Sequence, residues 1–420
     1  MLKEILIEQN IHWQEKKYSS TKRKKLDKLI SYLPLRQIVT VTGIRRCGKS
    51  TLLKQAINYL IENGTDPVNI LFLNLEHPYF LDYKTDPKVL ESVYEEYLKL
   101  IAPKGKIYIF FDEIQYISNW QVYVKNRYEN SDIKFIITGS NSSMLSSELN
   151  TLLSGRSLNI HLDTFDFSEY LDYLGIEHNN EFDRIKNKID IARAKEKYLK
   201  WGGFYEVFDV KDETLKKEIL VSYAKNIIYQ DIVPRYKIRN TYLLERLFFY
   251  LLSLCGNIVN YTKLSKIFEI SDKSIKEYIN YFEDVFLFKK IDKYHTKEAQ
   301  KIKSNKKLYT LDNGFLQIYP KHSLNNGVML ENAVFNVLNQ KGCYINYFKE
   351  NYEIDFVIDD KLLQVSYDMN DEKTLKREIR AFGEFKFDRE KLLITYNKNT
   401  KIQDLSVVSF DNFALDEIVK

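Results

Sequence analysis

The sequence predicts an α/β chain: a parallel sheet in the first third, a helical middle, and a second, smaller α/β region at the end. Three observations carry that expectation. A β-branched run over residues 37–42 is followed at once by a glycine-bounded loop and a helical stretch from Thr51 to Asn63. Apolar runs at residues 107–113 and 134–141 each end in polar side chains, as strands do when they deliver functional groups to one edge of a parallel sheet. The last ninety or so residues place a helical pattern ahead of three short strands, a helix and a further strand. The chain holds 14 Gly and 7 Pro in 420 residues, about 3% and under 2% against ordinary usage of about 7% and 5%, while 44% of it is hydrophobic. That excludes a linker-like, collagen-like or low-complexity protein and leaves ample material for a core.

Charge and cysteine usage narrow the class. With 63 Lys+Arg against 58 Asp+Glu the formal net charge is +5, too mild for the whole chain to act as a polycation. Cys47, Cys255 and Cys343 are odd in number and far apart, so neither a disulfide framework nor a zinc cluster is expected. The first ten residues carry Glu4 and Glu8 and no long apolar core. The longest apolar stretches, such as Leu247 to Cys255, reach about half of the roughly 20 residues that a membrane-spanning helix needs. A cytoplasmic chain with no membrane partner is the expectation.

After the strand at 37–42 come Gly43, Ile44, Arg45, Arg46, Cys47, Gly48, Lys49 and Ser50, then Thr51 at the start of the helix. The pattern G-x-x-x-x-G-K-[ST] between strand and helix is a phosphate-binding loop. Its glycines let backbone N–H groups turn inward around phosphate oxygens, and the helix N-terminus adds partial positive charge. Lys49 can reach the outer phosphates of ATP and the Ser50 hydroxyl can ligate Mg²⁺. The apolar run Ile107 to Phe111 delivers Asp112 and Glu113, the first suited to Mg²⁺ and the second to polarising an attacking water. The strand Lys134 to Thr138 ends in Gly139, Ser140 and Asn141, so Ser140 or Asn141 could sense the γ-phosphate. Arg156 precedes a short strand at residues 158–162. It could steady phosphate charge in cis or in trans, or pair locally with an acid.

These residues carry a family resemblance. Gly43–Ser50, the stretch Phe111-Asp112-Glu113-Ile114-Gln115 with Trp120 behind it, Thr138–Asn141, Leu153–Arg156 and Phe165–Tyr170 together resemble the AAA-type P-loop ATPases common in bacteria and archaea. Those proteins couple an ATPase domain to a winged-helix segment and a C-terminal domain similar to PD-(D/E)XK nucleases. The resemblance implies an AAA-like P-loop NTPase sheet, then a helical and winged-helix segment, then an α/β PD-(D/E)XK-like domain. It divides the chain into a basic N-terminal helical arm (1–30), the ATPase domain (31–178), a helical connector (179–239), a winged-helix-like domain (240–322) and the nuclease-like domain (323–420).

In the middle, Gly202-Gly203 breaks a helical pattern like a hinge. Two short helices joined by Glu269-Ile270-Ser271 form a helix-turn-helix pattern with Ser271 as N-cap. A DNA reader would present Lys273, Ser274 and Lys276 from the second helix. Residues 289–307 hold eight Lys against Asp292 and Glu298; they could contact DNA phosphates, or form a solvated hairpin. The arm's Lys16, Lys17, Lys22, Arg23, Lys24, Lys25 and Lys28 could likewise be the exposed face of a helix.

In the last region Glu331 and Asp355 match the helix and strand acids of the nuclease pattern. The third motif reads Gln364-Val365-Ser366: Gln364 keeps an oxygen but no charge, and Ser366 cannot replace the expected ammonium. Glu331 and Asp355 could equally be capping or surface charge. The expectation is a degenerate, inactive nuclease-like site. The whole reads as a Mg²⁺-dependent ATP-hydrolysing switch, acting on DNA, on a protein partner or as a homo-oligomer.

Overall fold

The computed structural model describes residues 1–141, 155–319, 325–368, 379–402, 404–416 and 418. The chain divides into two compact units, Met1–Leu162 and Asp163–Lys420.

The first unit opens with helices α1 (Leu2–Gln9) and α2 (Lys25–Tyr32). These lead to β1 (Ile38–Thr42), α3 (Lys49–Glu62), β2 (Ile70–Asn74), α4 (Lys88–Ile101), β3 (Ile107–Asp112), α5 (Trp120–Asn130), β4 (Ile133–Gly139) and β5 (Ser157–His161). The strands form one parallel sheet in the order β2-β3-β4-β1-β5. β1 and β4 are buried at every residue, as parallel strands covered on both faces must be. The register sets Thr42 beside Gly139 and Phe111 beside Ile137. β1, β3 and β4 therefore end on one edge, with the phosphate loop, the acidic pair and Ser140-Asn141 following them.

The N-terminal segment is not a solvated arm. Leu6 is fully buried in the core beneath the sheet's outer strands. β2 is the edge strand, and side chains of the segment take the place of its missing neighbour. Asn10 accepts from Phe72 N–H at 2.6 Å and donates to Phe72 C=O at 3.0 Å. Gln9 pairs in the same way with Asn74. His12 and Trp13 both meet Ile70 C=O, at 3.0 and 2.8 Å. Alternate residues 70, 72 and 74 present their backbone groups outward, and each finds a partner. Of the segment's basic residues Arg23 is buried, and its guanidinium donates to Cys47 C=O in the phosphate loop, whereas Lys16, Lys17, Lys22, Lys24 and Lys28 are exposed, as expected of a solvated face.

In the second unit helices dominate up to residue 252. The helix Glu213–Asn226 passes through a wider turn, Ile227–Ile232, into Val233–Tyr236. Gly202-Gly203 is a close-packed junction, not a hinge. A Cβ on Gly202 would stand 1.9 Å from Asp312 Oδ1, and one on Gly203 would stand 2.1 Å from Phe165 O.

Among the described residues nine strands then form a single sheet: β6 (Asn257–Ile258), β7 (Phe288–Lys293), β8 (Lys307–Thr310), β9 (Asn346–Lys349), β10 (Glu353–Ile358), β11 (Lys361–Ser366), β12 (Glu390–Thr395), β13 (Thr400–Ile402) and β14 (Leu405–Ser409). Helices Tyr261–Phe268 and Asp272–Asp284 lie between β6 and β7, and the Ser271 hydroxyl accepts from Ser274 N–H at the second helix's start. β7 pairs in parallel with β9 through Asp292 and Asn346. The boundary expected at 322/323 is thus bridged by one continuous sheet. Part of the helix expected at 372–387 lies outside the described residues; residues 379–383 are helical.

Replacing Asn10 with Ala strands two buried backbone groups of the edge strand. The expected cost is about 2–6 kcal/mol, at about 1–3 kcal/mol per unpaired group. Chemical denaturation of the variant measures it, and an unchanged midpoint would show that the segment does not support the sheet.

Candidate functional site

The loop between β1 and α3 turns on two glycines with backbone in the left-handed half of the map. Gly43 has φ 154°, and a Cβ there would stand 2.0 Å from Leu162 O. Gly48 has φ 98°, and a Cβ there would stand 3.0 Å from Arg23 Nη1. Ile44 and Cys47 are buried within the loop. Arg45 is tied sideways, to Glu76 at 2.8 Å and to the Tyr116 hydroxyl at 3.0 Å, while Arg46 has φ 67°. Lys49, Ser50 and Thr51 begin α3.

Lys49 is buried, and its Nζ donates to Gly43 C=O at 3.1 Å and Ile44 C=O at 3.3 Å. The same ammonium stands 3.3 Å from Glu113 Oε1. Burial alone would lower the Lys49 pKa, but the charges of Glu113, Cys47 and Asp112 and the Glu113 hydrogen bond outweigh it and raise it.

Thr138 on β4 joins the two carboxylate positions: its hydroxyl donates to Asp112 Oδ1 at 2.7 Å and accepts from Glu113 N–H at 2.8 Å. Burial and the neighbouring Glu113 push the Asp112 pKa up to about 6, against hydrogen bonds from Ser50 and Thr138 and the Lys49 charge. The Ser50 hydroxyl and Asp112 carboxylate therefore meet at a buried, incompletely neutralised position. That donor set, two hard oxygens with an excess of negative charge, fits Mg²⁺.

Ser140 and Asn141 are buried at the end of β4. Ser140 Oγ accepts from Gln115 Nε2 at 3.1 Å, and that amide also donates to Glu113 Oε2. Thr138, Gln115 and Arg23 were not among the residues expected to matter. The first two lie inside the motif stretches, where their positions were the available signal; Arg23 had none.

Arg156 stands apart. Its C=O accepts from Ile38 N–H at 2.8 Å, at the start of β1, whereas the phosphate loop follows the end of that strand. A five-residue strand separates them by about 16 Å, so in this structure Arg156 does not stand at its own chain's phosphate loop. Arg156 pairs with Glu129 at 2.9 Å. Leu153 and Ser154 of the same motif lie outside the described residues.

The nuclease-like positions in the second unit converge on a residue that the sequence placed elsewhere. Lys307, expected as part of a phosphate-contacting run, is 1% exposed. Its Nζ lies 2.8 Å from Glu331 Oε1, 2.7 Å from Glu353 Oε1 and 3.1 Å from Asp355 Oδ1. Further hydrogen bonds tie the cluster: Tyr309 donates to Glu331 Oε1 at 2.7 Å, Val365 N–H to Asp355 Oδ2 at 3.0 Å, and Asp355 N–H to Gln364 Oε1 at 3.1 Å. Ser366 Oγ donates to Asp368 C=O. An ammonium holds the centre that a divalent cation would need, so these residues do not fit a metal. Three carboxylates share one ammonium, and burial together with Glu331 pushes Asp355 up to about 7.

Other lysines of the run are paired as well. Lys290 pairs with Glu283 at 2.7 Å, and Lys306 and Lys301 pair with Asp292 at 2.6 and 3.7 Å. Lys297 and Lys303 remain exposed. On the helix Asp272–Asp284, Lys273 lies 4.0 Å from Glu277 and Lys276 rests over Tyr261. Among the described residues no helix is long and apolar enough to cross a membrane.

Two stability predictions follow from the buried charges. Asp112→Asn mimics the protonated acid, so it is expected to stabilise the nucleotide-free protein at pH 7 by about 1–3 kcal/mol. A carboxyl with its folded pKa raised adds stability below about pH 4 and loses it as pH rises through about 6. Wild type is therefore expected to gain on the variant in that window as pH falls, measured by denaturation at several pH values. Lys307→Met leaves buried carboxylates without their cation and is expected to cost about 3–5 kcal/mol at pH 8. The deficit should shrink towards pH 5 as the cluster takes up protons; a pH-independent loss would argue against the charge balance.

Residues 35–171 match a family model described as an AAA domain, and residues 193–322 match one for a domain of unknown function. The chain is 32% identical over 379 residues to an uncharacterized protein of Methanocaldococcus jannaschii, covering 86% of this chain and 82% of that one. It is 31% identical over 396 residues to an uncharacterized protein of Haemophilus influenzae, covering 91% and 95%. Among solved structures, the Aeropyrum pernix ORC1 protein in complex with DNA aligns over 68% of this chain and 87% of that one, at 11% identity and a TM-score of 0.32; no property is carried over at that level. The five-stranded parallel sheet fits the P-loop NTPase fold. The chain belongs to the family of these archaeal and bacterial relatives, and its residues 35–171 form an AAA domain on a P-loop NTPase sheet.

Proposed function

We propose that the chain is a Mg²⁺-dependent ATP hydrolase whose turnover switches the second unit between states. The observation that carries this is the meeting of Lys49, Asp112 and Glu113 at one sheet edge, with the Lys49 ammonium 3.3 Å from the Glu113 carboxylate. Backbone N–H groups of Gly43–Ser50 cradle the phosphates, and Thr51 extends that surface at the start of α3. Lys49 exchanges its loop carbonyls for phosphate oxygens, which frees Glu113 to accept a proton from water. Ser50 and Asp112 hold Mg²⁺, which would supply charge neutralisation at the phosphates. Ser140 or Asn141 reports the γ-phosphate to β4. Arg156 acts, in this reading, on the nucleotide of a second copy of the chain, since in this structure it stands away from its own chain's phosphate loop.

The second unit's element order, helix, strand, two helices and a two-stranded ribbon (residues 241–310), supports a winged-helix reading, and β9 to β12 support a nuclease-like core without metal chemistry. Two observations favour a protein over DNA as the partner. Lys290, Lys301, Lys306 and Lys307 are neutralised within the unit. Phe182 and Ile185 on the short helix Glu181–Lys186, and Ile189 at the start of the helix Lys188–Trp201, are 75%, 67% and 68% exposed, apolar surface suited to another protein.

The test is steady-state ATP turnover. Lys49→Ala is expected to lose nucleotide binding, whereas Glu113→Gln should keep binding and lose turnover by about 100-fold or more. Turnover that survives in Glu113→Gln removes it as the base. Mixing Arg156→Ala into wild type should depress the rate of the wild-type chains if the arginine acts in trans. Duplex or single-stranded DNA at low salt is expected to leave the rate within about two-fold; strong stimulation would restore the DNA reading.

A further inference from the structure

Gln115 lies in the short turn Ile114–Tyr116 just past β3. Its Nε2 donates both to Glu113 Oε2 and to Ser140 Oγ. An ionised carboxylate only accepts, so the atom facing Glu113 is the amide nitrogen, and the carbonyl Oε1 is the amide's remaining acceptor. That Oε1 is buried and has no hydrogen-bond partner. It lies 3.2 Å from the point where a Cβ on Gly139 would stand, so the absence of a side chain at Gly139 leaves the carbonyl its room. A buried acceptor left unpaired costs about 1–3 kcal/mol, a penalty relieved by any donor that enters beside Glu113.

We propose that Gln115 is a water-positioning residue for ATP hydrolysis, its Oε1 accepting a hydrogen bond from the attacking water while its Nε2 holds Glu113 and Ser140 in place. This rests on the reading of the first unit as an ATPase with Glu113 as base. A water molecule has two protons to donate: Glu113 takes one and Gln115 Oε1 fixes the other, which aims the oxygen lone pair at the γ-phosphorus. In the step itself the water oxygen bonds to the γ-phosphorus and the bond to the bridging β–γ oxygen breaks. The proton passes to Glu113, and ADP and inorganic phosphate result. The arrangement draws on three segments, the end of β3, the turn after it and the end of β4, so only the parallel register brings it together.

The experiment compares wild type with Gln115→Met, which keeps the side-chain volume, and with Gly139→Ala, which presses on the carbonyl without removing it. Two readouts are taken: steady-state kinetics, and thermal stabilisation by ADP with beryllium fluoride or with aluminium fluoride. The first complex mimics bound γ-phosphate; the second also needs the in-line water. Both variants are expected to lose about 10–100-fold in kcat, with KM for ATP within about two-fold of wild type. They should keep the beryllium fluoride stabilisation and lose the additional shift given by aluminium fluoride. A wild-type kcat or an intact aluminium fluoride shift in Gln115→Met overturns the proposal. So does the loss of both fluoride complexes, which would make Gln115 a structural support of the loop. A wild-type chain stabilised by neither complex would instead overturn the ATPase reading, and the proposal with it.

Discussion

A buried ammonium organises the first unit. Burial disfavours the charge on Lys49, and only the carboxylates of Asp112 and Glu113 and the loop carbonyls make it tenable. Those groups come from different strands, so the charge balance exists only when the sheet is assembled. The strand order makes this possible: β4 lies between β3 and β1, and its Thr138 bridges the Asp112 carboxylate and the Glu113 backbone. In the proposed function a polyphosphate replaces the contacts that hold this cation.

The second unit uses the same physics to the opposite end. Lys307 also lies buried among carboxylates, but three acids surround one ammonium, and Tyr309, Val365 and the Asp355 backbone add hydrogen bonds to the cluster. The Lys307 ammonium stands where a metal would have to join. The cluster links β8, β10 and the helix Asn326–Gln340, elements on both sides of the boundary expected near residue 322. The continuous sheet through β7 and β9 and the shared ion cluster explain why 163–420 behaves as one compact unit.

The N-terminal segment shows how an exposed sheet edge is managed without another strand. Side chains of Gln9, Asn10, His12 and Trp13 meet the outward backbone groups of residues 70, 72 and 74, which satisfies the edge and blocks pairing with another chain. Arg23 then carries the same segment to the phosphate loop. Charge that looks solvated in a linear reading is, at this position, part of the support of the site.

Local sequence determined the elements that obey local rules. The phosphate loop was legible because glycine spacing, a β-branched strand and a following helix are all contiguous. Asp112–Glu113 and Ser140-Asn141 were legible because apolar runs end there, and Ser271 because a cap acts on its own helix. What tertiary structure alone decided are the long-range partnerships. Lys307 meets acids 24 to 48 positions away, and no periodicity marks such a pair within a lysine-rich run. Asn10 and Phe72, Gln115 and Ser140, and Arg156 and Ile38 are likewise joined only by sheet register. The physical reason is the same throughout. Hydrogen bonding along a helix or turn is set by neighbours in sequence, whereas a buried charge or an open strand edge is satisfied by whatever the assembled sheet brings within about 3 Å.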